Sequence, residues 1–141
     1  PIIRYKTGDL GVYTEKKCYC GRNYPLLKRI EGRLQELVVT KDKGLITLTA
    51  LIFAQHFEAF SKIKKMQIFQ DKVGKITAKI VKASNYSDAD ENEILFKIKK
   101  ASGDKLDVKI VYVDFIPSTK RGKHKFLIQK LPIEFGENQK V

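Results

Sequence analysis

Cysteine is scarce in this chain: Cys18 and Cys20 are the only two among 141 residues, too few for a disulfide framework. A bond between them is not expected either, because side chains two apart on an extended strand share a face with little freedom to close. A reducing, cytoplasmic compartment is therefore expected. Long apolar runs are missing as well, and none approaches the ~20 residues of a membrane helix. No basic-then-apolar signal segment opens the chain, and no Pro-, Gly- or Ser-rich linker or internal repeat divides it. Acidic residues are outnumbered, 16 against 28 Lys and Arg, which gives a net charge of +12 and raises the question of a polyanionic partner. The lysines are spread along the chain, as on solvated faces. With 43% hydrophobic and 31% charged residues the composition is ordinary for a globular chain. Its length supports one domain with a core, or a small domain with an appendage.

The pattern along the chain predicts an α+β fold. Residues 1–13 alternate and then turn, 14–24 form a polar loop or hairpin, and Pro25 to Ile30 read as a short strand. The texture changes at Gly32. Beyond it, Leu34 to Thr40 is a β-rich run, Lys41-Asp42-Lys43-Gly44 a hairpin turn and Leu45 to Leu48 the return strand. Thr47 or Thr49 can cap a helix running to about Ser61, whose buried face would be Ala50, Phe53, Ala54, Phe57 and Phe60 or Ser61. Met66–Gln70 and Lys75–Ala83 read as strands joined by a second hairpin turn, Asp71 to Gly74, with Ile76, Ala78 and Ile80 inward. Ser87 caps a helix over Asp88–Ser102 that Gly103 ends, with Ile94, Leu95, Ile98 and Ala101 on its core face. Asp107–Asp114 is read as the final strand. Residues 34–114 thus spell β-α-β-β-α-β, a ferredoxin-like unit, preceded by a small β-rich N-terminal piece.

Three short motifs carry chemistry. In Tyr5-Lys6-Thr7-Gly8-Asp9 a glycine turn can present Asp9 as a two-oxygen acceptor suited to ribose hydroxyls. At Gly32-Arg33-Leu34-Gln35 a permissive glycine stands at a boundary, beside an arginine able to reach a phosphate or ribose. In Pro117-Ser118-Thr119-Lys120-Arg121-Gly122-Lys123 a turn brings Lys123, a long-reaching cation suited to carboxylate and phosphate oxygens together, onto a loop. Taken alone, each also fits a bland role: a strand-ending turn, a loop glycine, a solvated basic loop.

In this order the motifs resemble those of the adenylate-forming enzymes: Tyr-(Arg/Lys)-Thr-Gly-Asp, the Gly-Arg hinge motif, and the closing Pro-x-(Thr/Ser)-x-x-Gly-Lys. Cys18-Tyr19-Cys20-Gly21-Arg22 followed by Pro25 resembles the phenylacetate–coenzyme A ligase branch, which includes CapK-like relatives assigned to capsular polysaccharide biosynthesis. The resemblance implies an ATP-dependent ligase that activates a carboxylic acid as acyl-AMP and passes it to a thiol such as coenzyme A. In it Asp9 would hold the ribose, Arg33 would contact the nucleotide, Gln35 would be the pivot where many members carry Asp or Lys, and Lys123 would serve adenylation. Residues 1–31 would be the C-terminal remnant of the large AMP-binding domain and residues 32–141 the small mobile domain. ATP with magnesium and coenzyme A would serve the full-length enzyme, whose phosphate loop, acid pocket and magnesium-binding glutamate would lie upstream. The fragment is expected to be inactive and to hold none of them. Its first 31 residues, parted from their packing partners, would be mobile or pair with another chain, as in a strand-swapped dimer.

Some members of that branch carry a metal held by further upstream cysteines, so Cys18 and Cys20 would be at most part of a zinc site. A complete site needs four ligands, and His56 and His124 belong to distant elements. Two other functions share part of this pattern. An RNA-binding module fits the element order and the charge, but the strands at 37–39 and 75–80 lack base-stacking aromatics, so no nucleic-acid partner and no membrane partner are expected. A ferredoxin-like regulatory or interaction domain binding a small ligand is the alternative, and it assigns no role to Asp9 or Lys123.

Overall fold

The computed structural model describes residues 7–33 and 36–133. It is an α+β molecule in which a hairpin near the N-terminus precedes a mixed sheet backed by one long helix. Strands β1 (Asp9–Thr14) and β2 (Leu26–Arg33) pair antiparallel as a sheet of their own. No residue described between 7 and 33 is buried; the hydrophobic core begins at Leu37. The small β-rich N-terminal piece read from the sequence is thus present, and its two strands satisfy each other within one chain.

Beyond residue 36, strands β3 (Leu37–Val39) and β4 (Leu45–Thr47) form a second two-stranded sheet. Its turn contains the expected Lys41-Asp42-Lys43-Gly44, with the left-handed position at Lys43 (φ 60°) rather than at the glycine. The Thr40 hydroxyl donates to the Asp42 carboxylate and the Gly44 carbonyl, which holds the turn without help from a glycine φ.

The main sheet has the order β7-β6-β5-β8. Its antiparallel centre is β5 (Ile63–Lys72) with β6 (Lys75–Lys82), joined through Val73-Gly74. Here glycine is required, because φ is +70° and a Cβ would stand 2.9 Å from the Lys41 Cα. Ile76, Ala78 and Ile80 point into the core, as the alternation predicts. Helix α2 (Asp88–Ser102) has the predicted bounds. The Asp90 carboxylate accepts the Ser87 backbone N–H at 2.8 Å and its hydroxyl at 2.7 Å, and Gly103 ends the helix at φ 59°. Ile94 and Ile98 are fully buried. Strand β7 (Asp107–Tyr112) then runs parallel to β6, closing a β-α-β crossover.

Two expectations change. Asp107–Asp114 is not the final strand: β8 (Leu127–Gln129) follows it and lies parallel to β5. Of the run read at 34–40, the described strand β3 does not join the main sheet, whose fourth place β8 takes. The first helix is also short. Thr47 does cap α1 (Leu48–Leu51), accepting the Ala50 N–H at 3.1 Å, but the chain then passes through 3-10 turns at Phe53–Gln55 and Glu58–Lys62, with His56 left-handed between them. The buried side chains are Leu48, Leu51, Ile52, Phe57 and Ala59, while Ala50, Phe53 and Ala54 are exposed. Tertiary contacts from α2 override the helical period here. Glu93 accepts the Glu58 and Ala59 N–H groups at 3.0 and 3.1 Å, and Lys97 donates to the His56 carbonyl at 2.7 Å. Those bonds satisfy backbone groups that a continuous helix would have paired internally.

One side chain that the sequence did not single out joins the two sheets. Gln70 is fully buried on β5. Its amide oxygen accepts the Val39 N–H at 2.8 Å and its amide nitrogen donates to the Val39 carbonyl at 2.7 Å, so it pairs with β3 as a strand backbone would. Gln129 on β8 donates to that same Gln70 oxygen at 2.7 Å and to the Leu37 carbonyl at 2.9 Å. The chain immediately past residue 36 is therefore bolted to the main sheet.

Candidate functional site

Asp9 and Arg33, read from separate motifs, stand opposite each other where β1 begins and β2 ends. Gly8 takes φ +78°, and the Thr7 hydroxyl accepts the Asp9 N–H at 3.2 Å. This turn lifts the Asp9 carboxylate off the end of the strand. Arg33 Nε lies 3.4 Å from Asp9 Oδ1, and both side chains are largely in solvent. An exposed pair of this kind is worth only ~0–1 kcal/mol, so either group can exchange its partner for a ligand at small cost. The geometry supplies a two-oxygen acceptor and a guanidinium fork side by side. Strand β2 runs through Gly32 to Arg33, so the glycine lies within a paired strand and not in a loop. Gln35, expected as the pivot, lies outside the described residues.

Lys123 stands on a different loop. Thr119 N–H donates to the Lys123 carbonyl at 2.8 Å, Gly122 N–H to the Thr119 carbonyl at 2.8 Å, and Lys123 N–H to the Thr119 hydroxyl at 3.0 Å, with Gly122 at φ +74°. The turn is closed by its own backbone and leaves the lysine side chain exposed. Among the described residues no hydrogen bond or ion pair links Lys123 to Asp9 or Arg33. The structure thus brings together two of the expected site residues and holds the third on its own support.

That support was not anticipated. His124 Nε2 lies 2.7 Å from the Met66 carbonyl, Gln67 donates to the Lys125 carbonyl at 2.9 Å, and Ile68 N–H donates to the Phe126 carbonyl at 2.7 Å. The His124 ring meets Phe126 edge-on at 4.4 Å, and Phe126 meets Phe53 at 5.1 Å. Residues 124–127 are thereby strapped to the central strand directly after Lys123. The apolar run Phe126-Leu127-Ile128 was the signal in the sequence for this strand.

Cys18 and Cys20 are both free thiols. The sulfurs nevertheless lie 2.8 Å apart, because a turn at Tyr19-Cys20, with Gly21 at φ +77° and its N–H on the Cys18 carbonyl, brings them together. Extended geometry does not apply in that turn. The Cys18 side chain, followed by the Arg22 backbone, lowers the Cys20 thiol below its ordinary pKa. Among the described residues no group of three or more His, Cys, Asp or Glu side chains could hold a metal ion. No helix there is long and apolar enough to cross a membrane.

With this geometry in view, comparison with known proteins identifies the family. Residues 38–130 match the CapK C-terminal domain. The chain belongs to the CapK C-terminal domain family. It is 30% identical over 136 residues to Protein CapK of Staphylococcus aureus, an alignment that takes in 93% of this chain and 29% of that protein. Among solved structures, 2-hydroxyisobutyryl-CoA ligase in an open conformation with 2-HIB-AMP and CoA has the same fold at a TM-score of 0.51 and 20% identity, over 87% of this chain and 28% of the ligase. The same ligase in the postadenylation state with 2-HIB-AMP matches equally. This CapK-family chain therefore spans under a third of the length of the relatives it matches, and its fold is one found within an acyl-CoA ligase.

Proposed function

We propose that this chain is the C-terminal part of an adenylate-forming ligase of the phenylacetate–coenzyme A ligase type, one that activates a carboxylic acid with ATP and passes the acyl group to coenzyme A. The observation that carries the reading is the Asp9–Arg33 pair at one end of the β1–β2 hairpin, with Lys123 presented separately. The solved ligase that shares the fold holds an acyl-AMP and CoA, and the chemistry fits both. Asp9 accepts from the two ribose hydroxyls, Arg33 contacts the nucleotide, and Lys123 offsets charge on the reacting carboxylate and α-phosphate oxygens. The boundary expected at residue 32 would fall just past Arg33, because β2 stays paired with β1 as far as Arg33; the hairpin would belong to the large domain and the chain from Leu37 to the small one, with the pivot at Gln35. The bolt formed by Gln70 and Gln129 favours that position, since everything from residue 37 onward would turn as one body. Magnesium would be held elsewhere in the longer protein, because the described residues offer no group for it, and no step here runs through it. A cytoplasmic protein serving capsular polysaccharide biosynthesis fits the CapK kinship.

The test is acid-dependent ATP–pyrophosphate exchange. The longer protein should exchange with its carboxylic acid, and the 141-residue chain alone should not, because it supplies only one wall of the site. Exchange by the short chain, or none by the longer protein with any carboxylic acid, would overturn the reading.

A further inference from the structure

The Thr119–Lys123 turn closes on itself, so its hold on the rest of the molecule comes through its two flanks. Both flanks rest on consecutive residues of β5. Before the turn, the Lys65 ammonium donates to the Ile116 carbonyl at 3.2 Å, and the Ile116 side chain is buried. After it, His124 Nε2 meets the Met66 carbonyl at 2.7 Å. Farther along, β5 and β8 pair by backbone: Ile68 N–H donates to the Phe126 carbonyl, and the register begins with Ile68 opposite Leu127. At Met66 the imidazole thus serves a carbonyl that lies beyond the end of the backbone ladder. A carbonyl can only accept, so Nε2 carries a hydrogen and donates it. The other ring nitrogen, Nδ1, is buried and has no partner among the described residues. A buried nitrogen without a partner is a cost that phenylalanine would avoid. Edge-on packing against Phe126 therefore does not account for a histidine here; the one donor at a fixed reach does.

We infer that His124 is a positioning residue for Lys123. It is joined to the lysine by a peptide bond, and its bond to Met66 fixes the backbone from which the lysine side chain extends. With Lys65 on the opposite flank, two side-chain bonds to one strand set where the turn stands. His124 acts only through Lys123, because its donor is spent on Met66 and Nδ1 is enclosed. The inference rests on the ligase reading for what the lysine meets. A cation held in place reaches the reacting oxygens without reorganising, and a displacement of ~1 Å can cost ~10²-fold in rate.

Single-turnover rates of the two half-reactions in the longer protein test it. His124→Phe keeps a ring and removes the donor. It should slow acyl-adenylate formation ~10-fold or more and leave acyl transfer from a preformed adenylate nearly unchanged. His124→Gln, whose amide nitrogen reaches about as far as Nε2, should restore most of the lost rate. Where His124→Phe fails to fold, His124→Asn, whose amide falls short of Met66, takes its place. With Lys123→Ala already present, His124→Phe should slow adenylation no further, since both act through one group. A side chain that only stabilises the fold would depress both half-reactions and add its loss to that of Lys123→Ala. Either of those results overturns the inference, as does an undiminished adenylation rate in His124→Phe. Backbone amide order parameters at residues 119–123 of the 141-residue chain supply a readout that needs no activity. They should fall in His124→Phe and recover in His124→Gln, with β5 and β6 unchanged. Order parameters that stay level in His124→Phe defeat the inference whatever the enzyme does. Order parameters that fall, with no acid-dependent exchange by the unaltered longer protein, defeat the ligase reading and leave His124 as the clamp on Lys123.

Discussion

Asp90 shows how much one carboxylate can organise. It receives Lys62 Nζ at 2.7 Å and both Ser87 donors, and its side chain is almost wholly enclosed. The Lys62 hydrogen bond, then that from Ser87, hold its pKa down to about 2 from an ordinary 3.8. A depressed folded-state value means that the ionised form stabilises the fold. That contribution is complete above about pH 4 and disappears as the pH falls toward 2. Asp90→Asn should therefore lower the melting temperature at neutral pH and flatten its fall between pH 4 and 2, read by calorimetry across that range. An unchanged acid limb would mean that other carboxylates dominate it. On the alkaline side Lys62, raised chiefly by the Asp90 hydrogen bond, contributes below its ordinary pKa and loses that contribution as pH climbs through the raised one. The Ser87–Asp90 box could be read from the sequence because its partners are three residues apart. The Asp9–Arg33 pair could not, because it depends on a strand register 24 residues long that no local pattern specifies.

Among the elements, α2 and the β5–β6 hairpin were legible and α1 was not, for a physical reason. Residues 88–102 carry a cap, a dipole-matched charge order and a glycine stop, all local and all in agreement. Residues 48–62 carry an aromatic spacing that suits a helix, yet Glu93 and Lys97 on α2 capture the backbone at 56–59 and break it. Gln70 belongs to the same class of long-range partner. Gln70→Leu keeps the volume but strands the buried Val39 N–H, while the Val39 carbonyl keeps the Gly74 N–H at 3.1 Å, and one buried unpaired group costs about 1–3 kcal/mol. Stability in urea should drop by about 1–3 kcal/mol on that basis, with faster hydrogen exchange at residues 37–47. A neutral result would show that β3–β4 is held by its packed side chains instead. The β1–β2 hairpin presents the opposite case: Tyr13, Leu27 and Ile30 are 63%, 49% and 69% exposed, with no core of their own. Its amides should exchange far faster than those of β5 and β6 in the monomeric chain. Strong protection there at all concentrations would mean that the hairpin is stable alone, and protection that grows with concentration would mark pairing between copies.

On the scale of the whole molecule, the division of labour between Lys123 and the rest of the chain decides whether the proposed mechanism holds. Lys123 is carried by a loop whose next four residues are strapped to β5, so it travels with the main sheet. Asp9 and Arg33 belong to a hairpin that contributes nothing to that sheet's core. If the two bodies turn about the segment between Arg33 and Leu37, Lys123 meets the Asp9–Arg33 nucleotide site in one orientation and leaves it in another. Lys123→Ala in the longer protein should then slow acyl-adenylate formation by roughly 10²–10³, the usual effect of removing one charge-stabilising contact. Transfer of the acyl group from a preformed adenylate to coenzyme A should be nearly unaffected, because the lysine is absent from the site in that step. The variant removes an exposed side chain from a turn closed by backbone bonds, so the fold should survive; a general folding defect would depress both half-reactions together. Single-turnover measurement of each half-reaction separates these cases. Equal losses in both steps at unchanged stability would remove Lys123 from adenylation, and the basic loop would then be only a solvated turn.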